Sequence, residues 1–280
     1  MGRLEQYLQR IGYPSSLEPG SGSSSLEPNL KTLTALHRAH LGAIPYENLD
    51  IHLGRPLTLD FEAIFEKIVL NRRGGWCYEQ NSLLAWALRE LGYEVRMISG
   101  AVGRDAKGEL AEGNHLALLV QLEQPYIADA GFGDGPLEPI PLREGTYRQG
   151  FLEYRLSREG ERWFFYNHPY GGAQGFDFTP KARHISEFAE RCHYLQTSPE
   201  SGFVRTTVCQ TLTPDSLVTL RGAVLKTLTA AGEHQRTLES EAEYARVLRE
   251  VYGLELPQVG QLYARVLERH RLWLQGDTAA

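Results

Sequence analysis

The chain has 280 residues, enough for one large domain or two to three small ones, and its 42% hydrophobic and 23% charged residues are an ordinary globular composition. A formal charge of −6 argues against a nucleic-acid surface, and no stretch approaches the roughly 18 consecutive apolar residues of a membrane span. The opening residues lack the apolar core of a secretory signal, and three sparse cysteines, Cys77, Cys192 and Cys209, without CxxC or Cys/His pairs, fit a reduced cytoplasmic protein with no metal site.

Taken in order, the first 95 or so residues read as helical. "LEQYLQRIGY", "LKTLTALHRAHLGA" and, from Asp60, "DFEAIFEKIVLN" carry apolar residues at intervals of three and four. Between the first two lies "SSLEPGSGSSSLEP", a Gly/Ser/Pro-rich loop in which "SSLEP" occurs twice, from Ser15 and from Ser24; it reads as a local duplication in a tolerant surface loop. "CYEQNSLLAWALRELG" is a further helix, with Leu84, Leu88 and Leu91 along one face and Gly92 as its stop.

After Gly92 short β-rich runs take over: "YEVRMISGAVGR", "NHLALLVQLE" and "PYIADAGFG". "TYRQGFLEYRLSREGERWFFYNH" reads as two strands joined near Gly160, and "SGFVRTTVCQTLTPDSLVTLRGAVLKTLT" adds more. "EAEYARVLREVYG" and "PQVGQLYARVLERHRLWL" return to helical spacing. The order of helices, then strands, then strands with helices predicts an α+β protein of about three subdomains.

Cys77 stands out because Gly74, Gly75 and Trp76 precede it and the polar run Glu79, Gln80, Asn81 follows. At a helix start, unpaired N–H groups and the positive dipole end favour a thiolate, and the two glycines allow a tight turn and close approach of a substrate. A buried inert thiol is an equally good reading of position alone. A thiolate nucleophile wants an imidazole, and the imidazole wants a carboxylate. His115 opens an apolar strand and Asp129 closes the next, so the two are neighbours if those strands pair. Each alone is more often a hydrogen-bonded structural residue; the three contexts together are harder to dismiss.

"RGGWCYEQN" resembles the RGG-aromatic-C-aromatic-E-Q-N signature of the arylamine N-acetyltransferases. "AIPYENLDIHLGRPLTLD", "GNHLALLV", "ADAGFGDGPLEPI", "YLQTSPESGFVRT" and "LREVYGLEL" resemble further segments of that family, so the similarity covers nearly the whole chain. The resemblance implies a helical bundle over 1–95, an antiparallel β-barrel over 96–200 and an α/β lid over 201–280, with a core like that of cysteine proteases. It implies a Cys77–His115–Asp129 triad and an aromatic pocket containing Tyr46, Phe132 and Phe203. It also implies N–H groups of Gly131 and Gly133 near CoA, and a Glu47–Arg73 pair supporting the cysteine loop. Two departures are Tyr46, where the family has Phe, and the Ser/Gly-rich insertion near Gly20.

The expected reaction is acetyl transfer from acetyl-CoA, a co-substrate and not a permanent cofactor, to small aromatic amines, hydrazines or hydroxylamines. It would run ping-pong through acetyl-Cys77, in a cytoplasmic monomer or homodimer. Rival readings are a cysteine-triad thioesterase or amide hydrolase, a macrolactam-forming amide synthase of the same fold, and a binding module without catalysis.

Overall fold

The computed structural model describes residues 1–14 and 26–274, with side chains of the last helix described to Arg271. Most of the proposed duplication over 15–28, from Ser15 to Ser25, lies outside the described residues. Helix α1 (Arg3–Arg10) buries Tyr7 and Leu8, and α2 (Leu30–Ala43) starts where the Asn29 side chain accepts the Thr32 N–H at 3.0 Å. A two-residue strand β1 (Tyr46–Glu47) and a short helix α3 (Leu49–His52) follow. Asp60 caps α4 (Phe61–Phe65), and the helix then widens into a π-turn over Glu66–Leu70, a feature that the 3.6-residue pattern does not show. Helix α5 (Cys77–Glu90) is buried along nearly all of its length.

Strand β2 (Glu94–Ala101) leads through α6 (Arg104–Lys107) to β3 (His115–Gln121), β4 (Pro125–Ile127) and β5 (Ile140–Pro141). The run read as two strands is three: β6 (Gly145–Gln149), β7 (Leu152–Glu159) and β8 (Arg162–Tyr166), then β9 (Gly175–Phe178). The extra turn falls at Gly150 and Phe151, where Gly150 takes φ +63, a turn masked in sequence by the flanking strand formers. These eight strands form one antiparallel sheet, ordered β5-β4-β3-β2-β9-β8-β7-β6, which curls into a nearly closed barrel. Aromatic rings of Tyr154, Phe165, Phe176 and Phe178 are buried in the core.

Helices α7 (Ala189–Thr197) and α8 (Gly202–Arg205) lead to the second sheet; the start of "SGFVRTT" is thus helical, with Ser201 capping α8. Strands β10 (Val208–Leu212), β11 (Ser216–Arg221), β12 (Val224–Thr229) and β13 (Gly232–Thr237) are joined by β1, giving the order β1-β10-β11-β12-β13. Helices α9 (Glu241–Tyr252) and α10 (Val259–Leu274) cover this sheet, burying Tyr244, Leu248, Leu262 and Val266 against Leu220 and Leu225. The architecture is the expected α+β one. Because β1 pairs with β10 and Tyr46 bridges Gly75, the cysteine loop is stitched through β1 to the C-terminal sheet. No helix among the described residues is long and apolar enough to cross a membrane.

Candidate active site

Cys77 is the first residue of α5 and is only 2% exposed. Glu79 accepts the Trp76 N–H at 3.3 Å, fixing the first turn, while the next N–H groups have no intrahelical acceptor. Gly74 is required by the fold: a Cβ there would lie 2.2 Å from the Pro45 carbonyl oxygen. The close approach expected at this glycine is therefore made by the chain itself, beside β1. Burial pushes the Cys77 thiol up; the Leu116 and Tyr78 N–H groups act in the opposite direction, and Asp129 raises it further. The helix terminus alone suggests a thiolate, but a dry pocket disfavours an isolated one. Ionisation of Cys77 needs a proton acceptor inside the same pocket.

That acceptor is available. β2 and β3 pair Gly100 with His115, and β3 and β4 pair Leu119 with Ile127, so the strand ends converge as the sequence predicts. His115 Nε2–H donates to Asp129 Oδ2 at 2.6 Å, and both residues are 3% exposed. Burial would raise the Asp129 carboxyl, but the His115 charge, hydrogen bonds from His115 and Asn81, and the Gly131 N–H hold it below its ordinary value. Asn81 is the residue that sequence reasoning quoted without giving it a role. Its Nδ2 donates to Asp129 Oδ1 at 2.8 Å and to the Leu116 carbonyl at 2.6 Å, and its Oδ1 accepts the Ala130 N–H at 3.0 Å. Its place one helical turn after Cys77, on the same face, is the signal that could have found it. It locks the helix carrying the thiol to the strand ends carrying the other two groups.

Beneath the cysteine loop runs a chain of buried charges. Arg73 bonds Glu47 at 2.7 Å, the expected pair, and also Asp50 at 3.0 Å; Lys67 bonds Asp50 at 3.0 Å and Glu79 at 2.9 Å. Burial works against the Asp50 carboxylate, yet Lys67 and Arg73 together hold its pKa below the ordinary value. The network ends on Glu79, the residue that fixes the turn before Cys77. Arg73→Met is expected to destabilise the protein by about 3–5 kcal/mol, because it strands the buried Glu47 carboxylate and takes one of its partners from Asp50. Urea unfolding checks this, and a variant as stable as the parent would remove the network from the account.

Cys77 and His115 both line a cavity of about 1310 Å³, together with Tyr46, Phe132 and Phe203. The Phe132 ring meets His115 edge-on at 5.2 Å, and Phe203 meets Trp76 edge-on at 5.3 Å. The two glycines expected near CoA sit in a tightly packed loop. The Gly131 N–H is already donated to Asp129 Oδ1 at 2.9 Å, so it is not available to a phosphate. A Cβ at Gly131 would lie 2.5 Å from Cys77 Cα, and one at Gly133 would lie 2.1 Å from Gln210 Oε1. Both glycines serve the close packing of the loop, and Gly133 does not line the cavity. Among the described residues, no group of three or more His, Cys, Asp and Glu is placed to hold a metal.

An N-acetyltransferase family model matches residues 29–260. Arylamine N-acetyltransferase 2 of Mus musculus is 35% identical, the match covering 90% of this chain and 94% of that protein. The pineal gland isozyme NAT-3 of Gallus gallus, also an arylamine N-acetyltransferase, is 35% identical over 78% of this chain and 81% of its own. Among solved structures, the arylamine N-acetyltransferase of Mycobacterium marinum in complex with CoA superposes with a TM-score of 0.83 at 32% identity. It covers 94% of this chain and 98% of that one.

Proposed function

Because the chain belongs to the arylamine N-acetyltransferase family, with acetyl-CoA as co-substrate, we propose that it acetylates arylamines, arylhydrazines or arylhydroxylamines by a ping-pong route through acetyl-Cys77. The observation that carries this reading is the 2.6 Å His115–Asp129 bond in the cavity that Cys77 also lines.

In the first half-reaction the Cys77 proton passes to His115 Nδ1, the ring nitrogen left basic by the Nε2–H bond to Asp129. The thiolate attacks the thioester carbon, and the N–H groups of the first turn of α5 face the developing oxyanion. The carbon–sulfur bond to CoA breaks, and the imidazolium returns its proton to the departing CoA thiolate. In the second half-reaction the acceptor nitrogen attacks the acetyl carbon and gives a proton to His115; the bond to Cys77 breaks and the thiolate–imidazolium pair reforms. An anilinic nitrogen is neutral at pH 7 and can attack directly, whereas an alkylammonium must first lose a proton. Tyr46, Phe132 and Phe203 are assigned to the acceptor pocket, where ring stacking adds about 0.5–1.5 kcal/mol beyond burial.

We assign three domains, 1–95, 96–200 and 201–280, the last as a lid over the co-substrate, in a cytoplasmic monomer or homodimer. Initial rates with varied acetyl-CoA and varied arylamine test the route. Parallel double-reciprocal lines are expected, and intersecting lines would mean direct transfer in a ternary complex.

A further inference from the structure

The cavity reverses the charge balance of the chain. Overall, 29 Lys and Arg face 35 Asp and Glu, yet seven Lys and Arg side chains against three carboxylates line this one space. Four of the cations come from the C-terminal sheet and its helix: Arg221 at the end of β11, Lys226 on β12, and Arg265 and Arg269 one turn apart on α10. Lys226 is bonded to Glu233 at 3.1 Å, and Arg265 donates to the His52 carbonyl. Among the described residues no carboxylate lies within ion-pair distance of Arg221, Arg265 or Arg269. Some exposed arginines elsewhere are paired, as in Arg3–Glu62 and Arg96–Glu94. Like-charged guanidinium groups left unpaired around one cavity repel each other, and such a set is balanced by a polyanion.

We propose that Arg221, Lys226, Arg265 and Arg269 hold the phosphate groups of acetyl-CoA. This rests on the function proposed above and names where its co-substrate is gripped. Arginine suits the task, since its planar fork meets phosphate oxygens in pairs and stays charged at every working pH. The same field would draw the anionic donor inward, so its capture should weaken with salt. The neutral acceptor gains nothing from these groups, and the two substrates are thereby separated within one cavity.

The test compares acetyl-CoA with S-acetylpantetheine, which has the thioester and pantetheine arm but no phosphate diester or nucleotide. Wild-type enzyme should use S-acetylpantetheine at least about 100-fold less efficiently in kcat/KM, as expected for the loss of two or more charge-assisted contacts. Arg221→Gln and Arg269→Gln should each lower kcat/KM for acetyl-CoA by about tenfold, with the loss confined to the phosphate-bearing donor. Calorimetric titration with free CoA should show the same weakening. Variants that bind CoA like the parent, or that lose both donors equally, would overturn the assignment. Wild-type enzyme that binds CoA but accepts acetyl groups from neither donor would overturn the proposed function instead.

Discussion

Replacing Cys77 with serine is expected to lower acetyl transfer by at least about 10³-fold, within the loss of about 10⁶ seen when a protease loses its nucleophile. A serine hydroxyl is far harder to ionise than a thiol, and this pocket already opposes charge through burial. The other cysteines make the comparison. Cys192 is buried and pushed up to about 12, chiefly by that burial, and Cys209 is fully buried and pushed up as well. Neither lines the cavity. Burial raises all three thiols, so burial does not distinguish Cys77; its access to the cavity that also holds His115 does. Cys192→Ala and Cys209→Ala should therefore retain most of the activity. A Cys77→Ser enzyme with parental turnover would end the proposal.

Asp129→Asn is the second large effect. The carboxylate accepts the His115 Nε2–H and so dictates which ring nitrogen carries the proton. An amide in its place puts an NH₂ group against His115 or against the Asn81 and Gly131 donors. The corresponding change in the serine-protease template lowers turnover by about 10⁴, and a loss above roughly 100-fold is expected here. The direction of the pH effect follows from the same contacts. Without Asp129 the ring is no longer held with Nδ1 free for the Cys77 proton, and the thiol returns towards the raised value that burial imposes. Alkylation of Cys77 should then shift to higher pH and slow near neutrality, while the folded state is retained in a melting scan. If the variant alkylates and turns over like the parent, Asp129 is a strand-end carboxylate with a structural role, and the site reduces to Cys77 and His115.

Much of this was legible in the sequence. The helices over Leu30–Ala43 and Cys77–Glu90 follow from apolar spacing, with Gly92 as the stop of the second. The His115–Asp129 neighbourhood follows from two polar residues at the ends of consecutive apolar strands. What stayed hidden depends on contacts between distant segments. The pairing of β1 with β10 joins residues more than 150 positions apart through a strand too short to leave a pattern. Asn81 looked like one polar residue in a helix start, and only its three hydrogen bonds across to β3 and the Asp129 loop give it a role. The expected place of Gly131 near CoA rests on the family resemblance alone, whereas the fold gives its N–H to Asp129. The extension of the Glu47–Arg73 pair through Asp50 and Lys67 to Glu79 was equally out of reach, since each charge taken singly reads as a solvated one.

The central claim is that the acetyl group rests on Cys77 between the two substrates. Intact mass measurement after mixing the enzyme with acetyl-CoA alone, followed by peptide mapping, tests it directly. The expected result is a gain of one acetyl group located on Cys77, persisting until an arylamine is added and then lost as acetylated amine appears. A protein that stays unmodified while transfer to the arylamine proceeds, or that carries the acetyl group on another residue, would contradict it.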